Sequence, residues 1–346
     1  MRVALALGLL ASLLALAPGG GPTTGRWRGQ ALGVCWEGSP RPVEPEALDP
    51  LAALGVNAIS QTPFAFMRDP RKPELGFRAP AEPLEGRGWW GEHAEGVRAV
   101  ARAARERGIG TLLKPHVWLH GSWPGEVEMG SEEDWAAWFA GYQEFIVAWA
   151  RFAAAEGLEG LCLGNELDRT VGREREWRAL IAAVRAVFPG LLVYGANWSH
   201  VAEVPFWDAL DAIGVSAYFP LSEEPRPSVE TLVAAWKPIH ARLAALAERF
   251  ERPIVFTEIG YHPAEGALKE PWAWEVGDAA LAPENQASAY EAALRTFLAE
   301  PWFGGIFWWK WHAEPHHRRR GSPAGTFSPQ GLPAEEVLRR AYRAGD

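Results

Sequence analysis

Lysine and cysteine are scarce in this chain. Five lysines (Lys72, Lys114, Lys237, Lys269 and Lys310) stand among 34 basic residues, and two cysteines (Cys35 and Cys162) among 346 residues in all. No CxxC spacing exists, which excludes the usual zinc frameworks. The two thiols could pair in an oxidising compartment, yet both sit in apolar runs, where a free cysteine packs as a small apolar side chain. A Gly-rich phosphate loop after the first apolar run is missing too, which argues against a doubly wound nucleotide-binding sheet. Excess positive charge is absent: the formal net charge is -9 and the pI about 5.6, the opposite of a general nucleic-acid binder. A neutral or weakly charged ligand suits such a chain. Beyond residue 17 no run is apolar enough to cross a bilayer.

Met1 and Arg2 precede an apolar stretch from Val3 to Ala17, then Pro18 and three glycines. This pattern predicts a secretory signal peptide over 1–20, with Ala15 and Ala17 fitting a small-residue cleavage site and a retained N-terminal anchor as the alternative. The mature part, 21–346, is expected to be extracytoplasmic, free of the membrane and monomeric. Its length suits one α/β barrel, which needs about 250 residues before insertions.

One unit recurs along the chain: an Ala/Arg/Glu-rich amphipathic stretch, a glycine, then a short apolar run. Gly55, Gly108, Gly157 and Gly190 each stand at such a junction. Glycine just past a helix end takes the left-handed conformation that stops the helix, and an apolar run without alternation is how a strand covered on both faces reads. Strands are expected near 31–36, 55–61, 109–116, 158–164, 191–197, 211–218, 253–258 and 303–309. Helices are expected near 46–54, 91–107, 131–156, 173–187, 228–249 and 284–299, with a weaker one near 203–209. Eight βα units select a (β/α)8 TIM barrel with long loops on its C-terminal face. Those loops are 62–90, 260–283 and 310–330, the last carrying His312, His316, His317 and three arginines from 318. That His-rich stretch matches no recognised metal-ligand spacing, so no metal or other cofactor is expected.

Tryptophan is abundant, with 19 residues. Its flat apolar face and single N–H suit stacking on a sugar ring. Trp135, Trp138, Trp149, Trp177 and Trp236 follow helical spacing and are expected in the core. Others, including Trp36, Trp118, Trp123, Trp198, Trp272, Trp274, Trp308, Trp309 and Trp311, fall at strand ends or in loops. Period-two alternation would place Trp309 and Trp311 on one face of the last strand and Trp308 with Lys310 on the other.

Two apolar runs end in a carboxylate: 158–166 in Asn165-Glu166 and 253–258 in Glu258. Other strand ends add Lys114, His116, Asn197, Tyr218 and Trp309, all on the rim where barrels place their chemistry. Two carboxylates on one rim are the minimum for breaking a glycosidic bond. Lys114 could pair with a buried carboxylate and His116 could be a satisfied core histidine, or either could touch a sugar. Asn197-Trp198-Ser199 also reads as a glycosylation sequon.

In combination these residues resemble the clan A glycoside hydrolases, retaining enzymes on TIM barrels. More narrowly, Leu113-Lys114-Pro115-His116-Val117-Trp118, Gly164-Asn165-Glu166 and Thr257-Glu258-Ile259-Gly260-Tyr261 resemble glycoside hydrolase family 113, whose activity is chiefly β-1,4-mannan hydrolysis. The resemblance implies Glu166 as general acid/base and Glu258 as nucleophile, about 5 to 5.5 Å apart as retention requires. It also implies that Tyr218 bonds Glu258, that Asn165 meets the sugar 2-hydroxyl, and that Trp309 lies beneath the cleaved residue, with Trp36, Asn197, His116 and Lys114 as further substrate contacts. The partner would be a β-linked polysaccharide or oligosaccharide. Within that class the alternatives are a β-glucanase or an exo-β-mannosidase. Outside it stands a carbohydrate-binding barrel without catalysis.

Overall fold

A computed structural model of the chain describes residues 29–83, 88–313 and 323–343. The expected signal peptide and the stretch holding His316, His317 and Arg318 lie outside the described residues. In chain order the strands are β1 (Ala31–Glu37), β2 (Ala58–Gln61), β3 (Phe64–Met67), β4 (Gly76–Phe77), β5 (Gly110–Leu113), β6 (His116–Leu119), β7 (Gly160–Asn165), β8 (Leu191–Asn197), β9 (Ala212–Ser216), β10 (Ile254–Ile259) and β11 (Phe303–His312). The helices are α1 (Asp49–Leu54), α2 (Ala94–Arg105), α3 (Glu132–Glu156), α4 (Glu174–Arg185), α5 (Val229–Phe250), α6 (Pro283–Phe297) and α7 (Pro333–Arg343).

Eight strands close a barrel in the order β1-β11-β10-β9-β8-β7-β5-β2, every pair parallel. The inside is filled mostly by small residues contributed around the ring, among them Ala31, Cys35, Ala58, Cys162, Val193 and Ala212, with Leu112 and Phe307 as larger fillers. A larger apolar layer lies between strands and helices. There the helical tryptophans take the positions their spacing predicts: Trp138, Trp177 and Trp236 are fully buried, and Trp135 and Trp149 nearly so. The long helix α3 is capped by the Ser131 hydroxyl, which accepts from the Asp134 N–H, and ends at Gly157 with φ of 64°.

Departures from the sequence reading have local causes. The third barrel strand stops at Leu113, not 116, because Pro115 has no N–H to offer a ladder. His116 therefore lies on the separate strand β6, which pairs in parallel with β3, while β4 pairs with β3 in antiparallel fashion. The 62–90 connection, expected as loop, thus contributes two strands of a three-stranded sheet at the barrel mouth. The sixth barrel strand ends at Ser216, so Tyr218 stands just beyond it. The weak helix near 203–209 reduces to a 3-10 turn at Trp207–Ala209, and α7 was not anticipated. Both cysteines are buried and free, so the pairing option is not taken. Among the described residues no helix is long and apolar enough to cross a membrane.

Candidate active site

The chain leaves β7 through Asn165 and turns at once. Glu166 adopts φ of 52°, in the left-handed region, and its N–H donates to the Gly195 carbonyl of β8 at 2.7 Å. A side chain at Gly195 would collide with Asn165, since a Cβ there would sit 2.5 Å from Oδ1. Asn165 Oδ1 accepts from the Ser216 hydroxyl at 3.2 Å, and among the described residues the amide Nδ2 has no acceptor. A bare backbone on one strand and a hydroxyl on the next thus fix the orientation of the Asn-Glu corner.

Glu166 is partly open to solvent. Its Oε2 accepts from the Trp123 indole N–H at 2.8 Å, and Asn197 Nδ2 reaches Oε1 at 3.5 Å. Asn197 Oδ1 is held by the backbone N–H and hydroxyl of Ser199, at 3.0 and 2.7 Å. Burial, reinforced by the negative charge of Glu258, pushes the Glu166 carboxyl up to about 8.

Glu258, on β10, is buried, and donors surround it. Lys114 forms an ion pair with Oε1, and Tyr218 donates to Oε2 at 3.1 Å. Lys114 is fully buried and also donates to the Thr257 carbonyl at 3.2 Å. Burial is the largest single influence and works against its charge, but the Glu258 carboxylate and lesser neighbours together hold the ammonium above its usual range. His116 Nε2 lies 3.5 Å from Glu258 Oε1, and burial with the Lys114 charge pushes the imidazole well below its ordinary value. A neutral ring is the consequence. For Lys114 the structure adopts the buried-partner role.

Around these groups lies an aromatic rim. Trp309 is half-buried, with the Lys114 and Lys310 ammonium groups 5.6 and 5.4 Å from its ring centroid. Trp274 meets it edge-on at 6.3 Å, and Trp272 stacks on Trp198 at 5.5 Å. The alternation expected on the last strand does not hold. Trp308 and Trp311 are both buried in the outer layer, while Trp309 and Lys310 are both half-buried. The register of β1 against β11 shifts between Val34 and Trp36, which breaks the period. Trp36 is likewise packed in the outer layer, 3% exposed, and is not brought to the site.

A second polar group was not singled out from sequence. Glu37, ending β1, pairs with Lys310 and with His312 of β11. Burial opposes its charge, but these two partners win and hold the carboxyl down at about 2. Nearby Glu92 is pushed up to about 7 by burial and by the Glu37 charge. The sign that could have found Glu37 is the one that marked Glu166: a carboxylate directly after a barrel strand. In sequence Trp123 reads only as a loop aromatic, and Phe64 and Phe66 of β3 lie in a connection whose pairing no linear pattern shows.

A closed parallel barrel with two carboxylates at its mouth, in unlike surroundings and flanked by aromatic rings, defines a glycoside hydrolase. Comparison with known proteins agrees. The profile of Glycoside Hydrolase Family 113 matches residues 48–331, and the chain belongs to that family. A solved GH113 β-mannanase from Alicyclobacillus acidocaldarius, in complex with ManMIm, is 28% identical, with a TM-score of 0.77 over 91% of this chain and 98% of that one. A second structure, a complex of a GH113 β-1,4-mannanase, is 22% identical, with a TM-score of 0.76 over 91% and 99%. A family 5 mannosidase from Rhizomucor miehei shares the fold at 10% identity, with a TM-score of 0.65 over 92% and 94%. No curated protein sequence matches the chain.

Proposed function

We propose that the protein is a retaining endo-β-1,4-mannanase, with Glu258 as nucleophile and Glu166 as general acid/base. The observation that carries this reading is the contrast between the two carboxyl groups. Glu166 is pushed up to about 8, so at neutral pH it holds a proton to give, whereas Glu258 faces the Lys114 ammonium and the Tyr218 hydroxyl. In the first step a Glu258 oxygen attacks the anomeric carbon as the bond to the leaving oxygen breaks, and Glu166 gives that oxygen its proton. In the second, water attacks the anomeric carbon of the glycosyl-enzyme. Glu166 takes the water's proton, Glu258 leaves as a carboxylate, and the configuration is restored.

Tyr218 and Lys114 hold Glu258 for in-line attack. Asn165, whose Nδ2 has no acceptor among the described residues, is placed to donate to the 2-hydroxyl, and Trp309 to stack on the sugar in between. Mannan as substrate is supported by the family and by the β-mannanases that the chain resembles. Endo action is supported by the rim. Glu166 follows β7 and Glu258 lies on β10, so together they divide it into two arcs, and exposed aromatic rings occur on both: Trp118 on one, Trp272 on the other. A cleft lined on both sides admits a chain interior.

The test is hydrolysis of soluble β-mannan, glucomannan, β-glucan and xylan by wild type and Glu258→Ala, with products resolved by length. Release of manno-oligosaccharides by wild type alone is expected. Release of single sugars only would replace endo with exo action, and preference for β-glucan or xylan would overturn the substrate.

A further inference from the structure

The sheet formed by β3, β4 and β6 is an outgrowth of the barrel mouth whose two faces differ sharply. Ala65, Met67, Val117 and Leu119 alternate onto the inner face and are buried, with Met67 Sδ accepting from the Trp138 indole N–H at 3.4 Å. Phe64, Phe66, His116 and Trp118 alternate onto the outer face. Register pairs Phe64 with His116 and Phe66 with Trp118, so the four rings form a two-by-two array. Phe64 contacts the other three, with ring centroids 6.4 Å from Phe66, 5.9 Å from Trp118 and 5.8 Å from His116. Phe66 and Trp118 are each 54% exposed, a large apolar area to leave in water. The Trp118 indole N–H makes no hydrogen bond among the described residues.

One end of this array is already in the catalytic centre, since His116 Nε2 is 3.5 Å from Glu258 Oε1. The other end is open to solvent. We infer that the outer face of this sheet is a carbohydrate-binding shelf that carries the stretch of substrate chain leaving the catalytic centre on the β2 and β5 side. Its ligand is a run of neutral pyranose units, stacked by their C–H faces on Phe66 and Trp118, with the Trp118 N–H bonding a ring hydroxyl. Continuity with Glu258 favours substrate over a protein partner, because a protein seated there would cover the cleft. The shelf rests on the reading of the protein as a polysaccharide hydrolase.

The test is the double variant Phe66→Ala/Trp118→Ala, whose altered side chains are largely exposed. The quantity read is kcat/KM on soluble β-mannan divided by kcat/KM on mannotetraose. Loss of two stacking contacts should lower this ratio about tenfold, through KM on the polymer. An unchanged ratio, including an equal fall on both substrates, would overturn the shelf. Affinity electrophoresis through gels containing β-mannan, glucomannan, β-glucan or xylan reads binding without turnover. Retardation of wild type by at least one polymer, lost in the variant, supports the shelf, and equal mobility in every gel overturns it. A wild type inactive on mannan but retarded by another polymer would sink the proposed substrate and keep the shelf. A wild-type dimer that the double variant converts to monomer would make the face an interface between copies instead.

Discussion

The two glutamates at the barrel mouth share a chemistry and differ in everything around it. Glu258 sits on a barrel strand, buried, with a lysine ammonium on one oxygen and a phenol on the other. Glu166 sits one residue past a strand, in a left-handed turn, partly open, with an indole N–H as its nearest donor. Position explains the difference. A residue within the barrel wall can be surrounded by neighbouring strands, whereas a residue at a corner has solvent on one side and can meet a leaving group. Burial penalises the Glu166 charge most and the neighbouring Glu258 charge adds to it, so Glu166 keeps its proton.

That asymmetry can be broken from either side. Glu258→Ala should have the largest effect, lowering kcat by about 10⁴-fold or more on every substrate, because no nucleophile remains. Glu166→Ala should cost about 10² to 10⁴ on mannan and far less on aryl glycosides, whose leaving groups need no proton. Equal losses on both would contradict its role as acid. Lys114→Met leaves Glu258 buried without its cation, a change that typically costs about 3 to 5 kcal/mol. A lowered melting temperature is expected from a cost of that size, and kcat should fall as well because Glu258 loses the cation that holds and charges it. Wild-type behaviour in both would show that the ion pair is dispensable.

Smaller effects sharpen the comparison. Activity needs Glu166 protonated, so kcat/KM should fall as pH rises through about 8. The Trp123 N–H favours the charged form, so Trp123→Phe should move that alkaline limb upward, and a downward shift would contradict the assignment. Stability should show the same group. A carboxyl raised from 4.5 to about 8 on folding binds more protons in the native state between those values, so it loses stability as pH rises across that window. Glu166→Gln should therefore gain a few degrees in melting temperature over wild type at pH 8, and less at pH 5. An equal difference at both pH values would point to packing instead.

Much of this was legible before any coordinates. Glycines stopping Ala-rich helices mark four of the barrel strands and short apolar runs mark the others, and residues at strand ends place Asn165, Glu166, Asn197 and Glu258 together. Other features depend on partners that a linear pattern does not show. Two strands of the three-stranded sheet, of four and two residues, lie inside a stretch rich in proline, glycine and arginine and the third, of four residues, follows Pro115, and each forms only because another lies beside it. Trp311 reads as a rim residue under strict alternation, but the register shift between β1 and β11 turns it into the outer layer, while Trp36 follows Val34 onto the outer face of β1, opposite Ala31 and Cys35. Glu37 is legible as a carboxylate at a strand end, but its partners Lys310 and His312 come from the far end of the chain.

The most direct measurement of the central claim is the anomeric configuration of the first product, followed by proton NMR during hydrolysis of mannopentaose. A nucleophilic Glu258 with Glu166 as acid/base requires the β-anomer to accumulate first and then mutarotate. Initial release of the α-anomer would mean single displacement by water, and would remove Glu258 from the role of nucleophile.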